Sequence, residues 1–74
     1  MLSFINSALA PEQVEIEVDS DGIRELIDYL QFVERSKDHI HLTVGTELNQ
    51  VSIPKGRQSL FINVKSVTIK YYKA

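Results

Sequence analysis

One stretch with the periodicity of a helix, set between segments with the periodicity of strands, limits the fold of this chain more than any other feature. Its apolar residues recur at spacings of three and four, namely Ile23, Leu26, Ile27, Leu30 and Val33. The spacing predicts an amphipathic helix from about Ser20 to Arg35, introduced by Asp19 and Asp21, whose carboxylates suit a helix start. Because no second helix is predicted to cover its apolar side, this helix is expected to pack on a sheet.

Alternating apolar and polar side chains predict strands on both sides of the helix. In residues 14–18, Val14, Ile16 and Val18 are expected to face inward, while Glu15 and Glu17 face water. Later candidate strands cover residues 39–44, 48–53, 60–64 and 67–72, with a turn predicted at residues 54–56. From Leu2 to Leu9 the chain is expected to form either a short edge strand or an arm packed on the core.

These elements predict an α+β fold in a single domain over residues 1–74. The expected arrangement is one amphipathic helix on one face of a mostly antiparallel sheet of four or five strands, in the order β-α-β-β-(β)-β. The two strands that flank the helix could run parallel through a right-handed crossover. The other face of the sheet would stay open and carry Glu15, Glu17, His39, His41, Thr43, Lys70 and Tyr72.

Composition and charge exclude several classes of protein. Hydrophobic residues make up 43% and charged residues 24%, as in an ordinary globular chain, and the apolar runs are too short to cross a membrane. The absence of cysteine excludes disulfides and thiolate chemistry. The net charge of −2 conceals two halves of opposite sign: residues 1–38 hold nine acidic and three basic residues, and residues 39–74 hold one acidic and five basic. These charges could cancel across one compact fold, or the acidic half could form a functional face.

Two histidines, His39 and His41, are spaced so that a metal ion could bind both, since residues two apart on a strand point the same way. A zinc site needs a third ligand that the sequence does not identify. We therefore interpret both rings as part of a polar sheet face that pairs with Glu15 or Glu17. No serine triad, phosphate-binding glycine loop or separated acid–base pair is recognisable. The chain is expected to be non-enzymatic, with no metal or cofactor.

An acidic surface suits the binding of a basic protein, because carboxylates attract a positively charged partner and speed its association. The residues predicted to bind such a partner are Glu15, Glu17, Asp19, Asp21, His39 and His41. The acidic net charge disfavours nucleic acid as the partner. The alternative is a small structural or regulatory domain that forms a homodimer through the open sheet face or the arm from Leu2 to Leu9.

The sequence from Val14 to Leu48 carries a pattern that is shared with a known family. Its parts are Asp21-Gly22-Ile23-Arg24-Glu25-Leu26-Ile27, Asp38-His39-Ile40-His41-Leu42 and Glu47-Leu48. They resemble small immunity proteins of bacterial polymorphic-toxin systems, in particular immunity protein family 32, with a looser match at residues 67–72. The resemblance implies a cytoplasmic, non-catalytic protein that binds and blocks a cognate toxin, for which a nuclease is one candidate.

Overall fold

The computed structural model describes residues 1–51 and 61–73, in which one helix packs against antiparallel strands. The elements are β1 (Leu2–Ser7), β2 (Ala10–Val18), α1 (Ser20–Ser36), β3 (His39–Thr43), β4 (Phe61–Asn63) and β5 (Ser66–Lys70). The predicted α+β class is therefore confirmed. The order of elements differs from the prediction, because two strands precede the helix in place of one.

The described strands form two small sheets in place of the one predicted sheet. The first has the order β2-β1-β4, and the second pairs β3 with β5. All of these pairs are antiparallel. The predicted parallel crossover around the helix is wrong, because β2 and β3 belong to different sheets. The residues between β4 and β5 connect the sheets: Val64 N–H donates to Phe4 O at 2.8 Å, and Lys65 O accepts from Val44 N–H at 3.0 Å.

The N-terminal segment is a strand, one of the two predicted alternatives, but it is the central strand of the first sheet and not an edge strand. β1 pairs with β2 on one side and with β4 on the other. Leu2, Phe4 and Ile5 are all buried, and Leu2 and Phe4 form the core with Leu42 and Leu48. The partner β4 lies more than fifty residues away in sequence, so no local pattern of β1 could reveal this central position.

Among the described strands β2 is one of the two outer strands of the first sheet. The predicted burial of its aliphatic side chains is wrong for two of the three. The register pairs Ile16 with Phe4, so its side chain lies on the core side of the sheet. Nevertheless Val14 and Ile16 are 56% and 48% exposed, and only Val18 packs against the core. The residues point in the expected direction, but the core does not extend to the edge of the sheet.

The helix buries a narrower stripe than its apolar pattern predicts. Val33 is buried, and Leu26 and Tyr29 pack against the core. Three other apolar residues of the pattern are about half exposed: Ile23, Ile27 and Leu30, which we call the exposed helix row. At 100° per residue this row lies beside the core-facing positions rather than among them.

A turn replaces the start of the predicted strand at residues 48–53. The N–H groups of Glu47 and Leu48 donate to Thr43 O at 3.1 and 3.0 Å, and this turn brings Leu48 into the core. Leu48 makes an isolated bridge with Val44, and residues 49–51 belong to no strand. Residues 52 and 53, the predicted turn at 54–56 and residue 60 of the next predicted strand lie outside the described residues.

Candidate protein-binding site

Glu15 and Glu17 project from the outer strand β2. The register places Glu15 opposite Ile5 and Glu17 opposite Ser3, so both carboxylates lie on the face of the sheet away from the core residue Phe4. Both residues are exposed to solvent. Two like charges thus lie two residues apart on one strand face, where a partner with paired cationic side chains could approach both.

A cavity of about 340 Å³ opens beside Glu15 at the hairpin between β1 and β2. The register shifts between Asn6 and Ser7, and this irregularity lies at the cavity wall. The lining residues are Ile5, Asn6, Ser7, Ala10, Gln13, Val14, Glu15 and Phe61. Half of these residues are apolar and half are polar, Glu15 among them, and such a mixed lining suits the aliphatic stem and cationic end of a lysine or arginine side chain.

Asp19 has two structural roles, of which the sequence predicts only one, the start of the helix. Its carboxylate caps α1 by accepting a hydrogen bond from Gly22 N–H at 2.8 Å. The same oxygen, Oδ1, accepts a bond from the Met1 ammonium group at 2.5 Å. These contacts, the ammonium bond first, hold the pKa of Asp19 below its usual value, and the bond to Asp19 raises the pKa of the Met1 amino group. Asp19 therefore joins the chain start to the helix.

Asp21 lies in the first turn of α1, where a negative charge is favourable because of the helix dipole. Its carboxylate is 3.0 Å from Arg24 Nη1, and both side chains are largely exposed. A surface pair of this kind contributes little to stability, so the carboxylate can exchange Arg24 for a partner's cation at small expense.

His39 and His41 lie on β3, in the second sheet, and not beside Glu15 and Glu17. Their rings contact each other edge to face, with centroids 4.9 Å apart. His39 Nδ1 is 2.7 Å from Asp38 Oδ1, and His41 Nδ1 is 2.9 Å from Thr68 Oγ1. The predicted cross-strand pairing of these rings with Glu15 or Glu17 is therefore wrong, because β3 pairs with β5 and not with β2.

The metal chemistry considered for the histidines has no cluster to support it in the described part of the chain. In residues 1–51 and 61–73, no group of three or more histidine, cysteine, aspartate or glutamate side chains is arranged to hold a metal ion. Lys70 is the register partner of His39 on the same face of the second sheet. Its positive charge opposes the approach of a cation to that ring.

The structure thus divides the six predicted binding residues into two groups. Glu15 and Glu17 share one face of β2, and Asp19 and Asp21 follow at the start of α1. His39 and His41 belong to a separate sheet near the other end of the helix. Only the first group contains adjacent, solvent-exposed carboxylates on an outer strand.

Two structural features of the described residues were not anticipated from the sequence. The Glu47 carboxylate accepts bonds from Thr43 N–H at 2.9 Å and the Thr46 hydroxyl at 2.7 Å, and these bonds, in that order, lower its pKa. Lys37 ends α1 with a left-handed backbone at φ 57°, and its Nζ lies 4.6 Å from the Tyr71 ring centroid. The Thr43-to-Glu47 spacing is a recognisable turn signal, whereas nothing local indicates the contact between Lys37 and Tyr71.

Comparisons with known proteins add no relative. No protein-family model matches the chain, and no match was found among curated proteins or solved structures. Among the described residues, no helix is both long enough and apolar enough to cross a membrane.

Proposed function

We propose that this chain is a non-catalytic protein-binding domain, an immunity protein that binds and neutralises a cognate toxin through the carboxylates of β2. The observation that carries the proposal is the position of Glu15 and Glu17: both are exposed on one face of an outer strand. The resemblance of residues 14–48 to immunity proteins supports the same function and a cytoplasmic location.

The exposed apolar residues also support a binding function. Among the described residues six hydrophobic side chains are buried, whereas eleven large ones are exposed, including Val14 and Ile16 beside the glutamates. Exposed apolar surface of this extent is typical of proteins that bind another macromolecule. The partner we expect has a basic surface with an apolar component, as a nuclease with a phosphate-binding cleft would have.

The ion pairs among residues 1–51 and 61–73 do not involve the glutamates of β2. The described pairs join Met1 to Asp19, Arg24 to Asp21, and His39 to Asp38. None of them brings a lysine from residues 61–73 to an acid of β2. This arrangement favours a functional acidic face over cancellation of charge between the two halves.

A rescue assay tests the proposal. The chain is co-expressed with the toxin encoded beside its gene, and survival is compared between the native chain, Glu15→Lys/Glu17→Lys and the control Asp28→Lys/Glu34→Lys. The control reverses two exposed charges on α1. We expect the β2 variant to lose protection and the helix variant to retain it. Equal protection by both folded variants would contradict the proposal.

The second candidate function, a self-associating structural or regulatory domain, is favoured by a different observation. Ile23, Ile27 and Leu30 form the exposed helix row, and a second copy of the chain could cover it. Leu2, Phe4 and Ile5 of the segment from Leu2 to Leu9 are buried in the central strand β1 and are not free to form this contact, whereas Leu9 is 77% exposed. Light scattering distinguishes the two functions: a dimer that Ile27→Glu converts to a monomer would support self-association.

A further inference from the structure

We propose that the outer backbone edge of β2 is a docking site for an extended, basic strand of the partner protein, which adds to the first sheet beside β2. This inference rests on the proposed function and specifies how the partner is held. Strand addition supplies affinity through main-chain hydrogen bonds and selectivity through alternate side chains.

Hydrogen bonds of β1 show which backbone groups point to which side. In an antiparallel strand the N–H and C=O of one residue point to the same side, and successive residues alternate. Leu2 O accepts from Asn49 N–H and Phe4 O accepts from Val64 N–H, each at 2.8 Å. The backbone N–H and C=O groups of the even-numbered residues of β1 therefore point away from β2, and those of its odd-numbered residues point toward β2.

The same alternation fixes the direction of the backbone groups in β2. The register pairs Glu15 and Glu17 with odd-numbered residues of β1, so the N–H and C=O groups of both glutamates point toward β1. Asp19 N–H, two residues further on, donates to the residue before β1 at 3.1 Å, as this alternation requires. The backbone groups of Val14 and Ile16 consequently point outward, to the open side of the sheet.

Exposure along β2 shows that this outer side is accessible. Every residue from 11 to 17 is exposed, in contrast to the buried residues of β1. Val14 and Ile16, whose backbone groups point outward, have side chains that are 56% and 48% exposed. An exposed strand of nine residues with outward N–H and C=O groups is a template for pairing with another chain.

The side chains of β2 define the chemistry of the strand that would pair with it. On the core side, Val14 and Ile16 would contact apolar residues of the added strand, while Glu15 and Glu17 on the opposite face would contact basic ones. Glu15 and Glu17 would occupy the non-hydrogen-bonded positions of the new pair, where side chains of the two strands approach most closely. The added strand therefore has lysine or arginine alternating with apolar residues.

A second copy of the chain fits this edge less well than a basic strand. If two β2 strands paired with each other, both copies would place Glu15 and Glu17 along one seam, with four carboxylates on the same face. A glutamate would lie directly opposite a glutamate in the three antiparallel registers that pair Glu15 with Glu15, Glu15 with Glu17 or Glu17 with Glu17, and like charges in that position destabilise a strand pair. Charge complementarity thus selects a basic partner over self-pairing.

Amide hydrogen exchange with a defined probe tests the inference. The probe is a blocked seven-residue peptide, Thr-Val-Lys-Val-Lys-Val-Thr, and the control peptide carries glutamate at both lysine positions. At saturating probe we expect exchange at Val14 and Ile16 to slow by about tenfold or more, because their amides become hydrogen-bonded. The control peptide should leave both rates unchanged.

Proline substitution separates backbone pairing from charge attraction. Val14→Pro removes an outward N–H and is tolerated at a strand edge, whereas Val14→Thr retains the N–H and the strand preference. We expect the proline variant to bind the probe about tenfold more weakly or worse, and the threonine variant to bind within about twofold of the native chain. Dispersed amide resonances would establish that both variants fold.

The outcomes distinguish this inference from the proposed function. If Val14→Pro binds the probe as the native chain does while Glu15→Lys/Glu17→Lys does not, strand addition is overturned and binding by the carboxylates stands. If the native chain alone forms a dimer in which Val14 and Ile16 are protected, a second copy is the occupant and the inference is likewise overturned. Loss of protection in the rescue assay addresses the proposed function alone.

Discussion

At the scale of single residues, Gly22 lies where the chain start passes closest to α1. A Cβ atom at this position would lie 1.8 Å from Met1 O, much closer than atoms can approach. Met1 O also accepts a bond from Asp19 N–H at 3.1 Å, so the carbonyl cannot move without breaking a backbone contact. Glycine is therefore required at position 22 because it lets the Met1 carbonyl lie against the helix, and not because the backbone angle is unusual.

We expect Gly22→Ala to destabilise the protein by roughly 1–3 kcal/mol, because the new methyl group forces the Met1 carbonyl away. An unhindered glycine in a helix would respond in the opposite direction, since alanine is favoured by about 0.5–1 kcal/mol. Urea denaturation measures the difference. Ser20→Ala, at an exposed position of the same turn, is the matched control and should change stability by less than about 0.5 kcal/mol.

The ion pair between Asp19 and the Met1 ammonium group should make the stability of the protein depend on pH. Its lowered pKa contributes stability that is present above the usual value of 3.8 and is lost as pH falls through the lowered, folded-state pKa. The raised pKa of the Met1 amino group contributes stability that is full below 8.0 and is lost as pH rises through the raised pKa. The pair should therefore stabilise the fold most between roughly pH 4 and pH 8.

Asp19→Asn isolates this effect, because asparagine remains a good helix cap but carries no charge. We expect the urea midpoint of the variant to lie below that of the native chain in the neutral range, and the gap to narrow at both pH extremes. Asp19→Ala should lower the midpoint further, since it also removes the bond to Gly22 N–H. A gap between native and Asn variant that does not vary with pH would contradict the role given to the ion pair.

At the scale of elements, α1 presents two different apolar surfaces. Val33 is 5% exposed, whereas Ile27 in the exposed helix row is 47% exposed. We expect Val33→Ala to cost about 1.5–3 kcal/mol in unfolding free energy, and Ile27→Gln less than about 1 kcal/mol. Denaturation midpoints compare the two directly. An equal loss for both would mean that the row is buried in solution, as in a dimer.

Periodicity alone predicts α1, β3 and β5 close to their observed limits, because each has a regular apolar repeat bounded by turn-forming residues. It fails at β1, where the polar residue Ser3 is fully buried and the pairing partner β4 is distant in sequence. It also overstates burial at Ile16, Ile23 and Ile27. A repeat reports which way a side chain points, whereas burial depends on whether another element lies above it.

The candidate site is predictable from the sequence to a similar degree. Alternation correctly places Glu15 and Glu17 on one exposed face of a strand. It does not reveal that this strand is an outer one among the described strands, or that Met1 forms an ion pair with Asp19. The grouping of His39 with the glutamates fails because strand pairing, which the local pattern does not encode, puts β3 in a different sheet.

At the scale of the whole molecule, acidic residues dominate one end of the helix. β2 and the start of α1 carry Glu12, Glu15, Glu17, Asp19 and Asp21, whereas the far end of the helix mixes Glu34 and Asp38 with Arg35 and Lys37. A helix of 17 residues is about 25 Å long, which exceeds the Debye length of about 8 Å at physiological salt. The charges at one end of the helix are therefore largely screened from those at the other end.

This separation suits a protein that attracts a basic partner to one end. Exposed carboxylates would accelerate association, and the acceleration would weaken as salt screens them. A large share of the apolar surface also remains exposed, so the chain gains stability when a partner covers it. A small core, an open strand and an acidic segment thus all suit the binding of a basic partner.

Binding of the proposed toxin through the carboxylates of β2 is tested most directly by calorimetry, which gives the dissociation constants of the purified chain and of matched neutralising variants. We predict that Glu15→Gln/Glu17→Gln weakens binding by about tenfold or more at low salt, while Asp28→Asn/Glu34→Asn stays within about twofold. Raising the salt concentration should reduce the difference. If both variants bind as tightly as the native chain, the carboxylates of β2 are not the binding site.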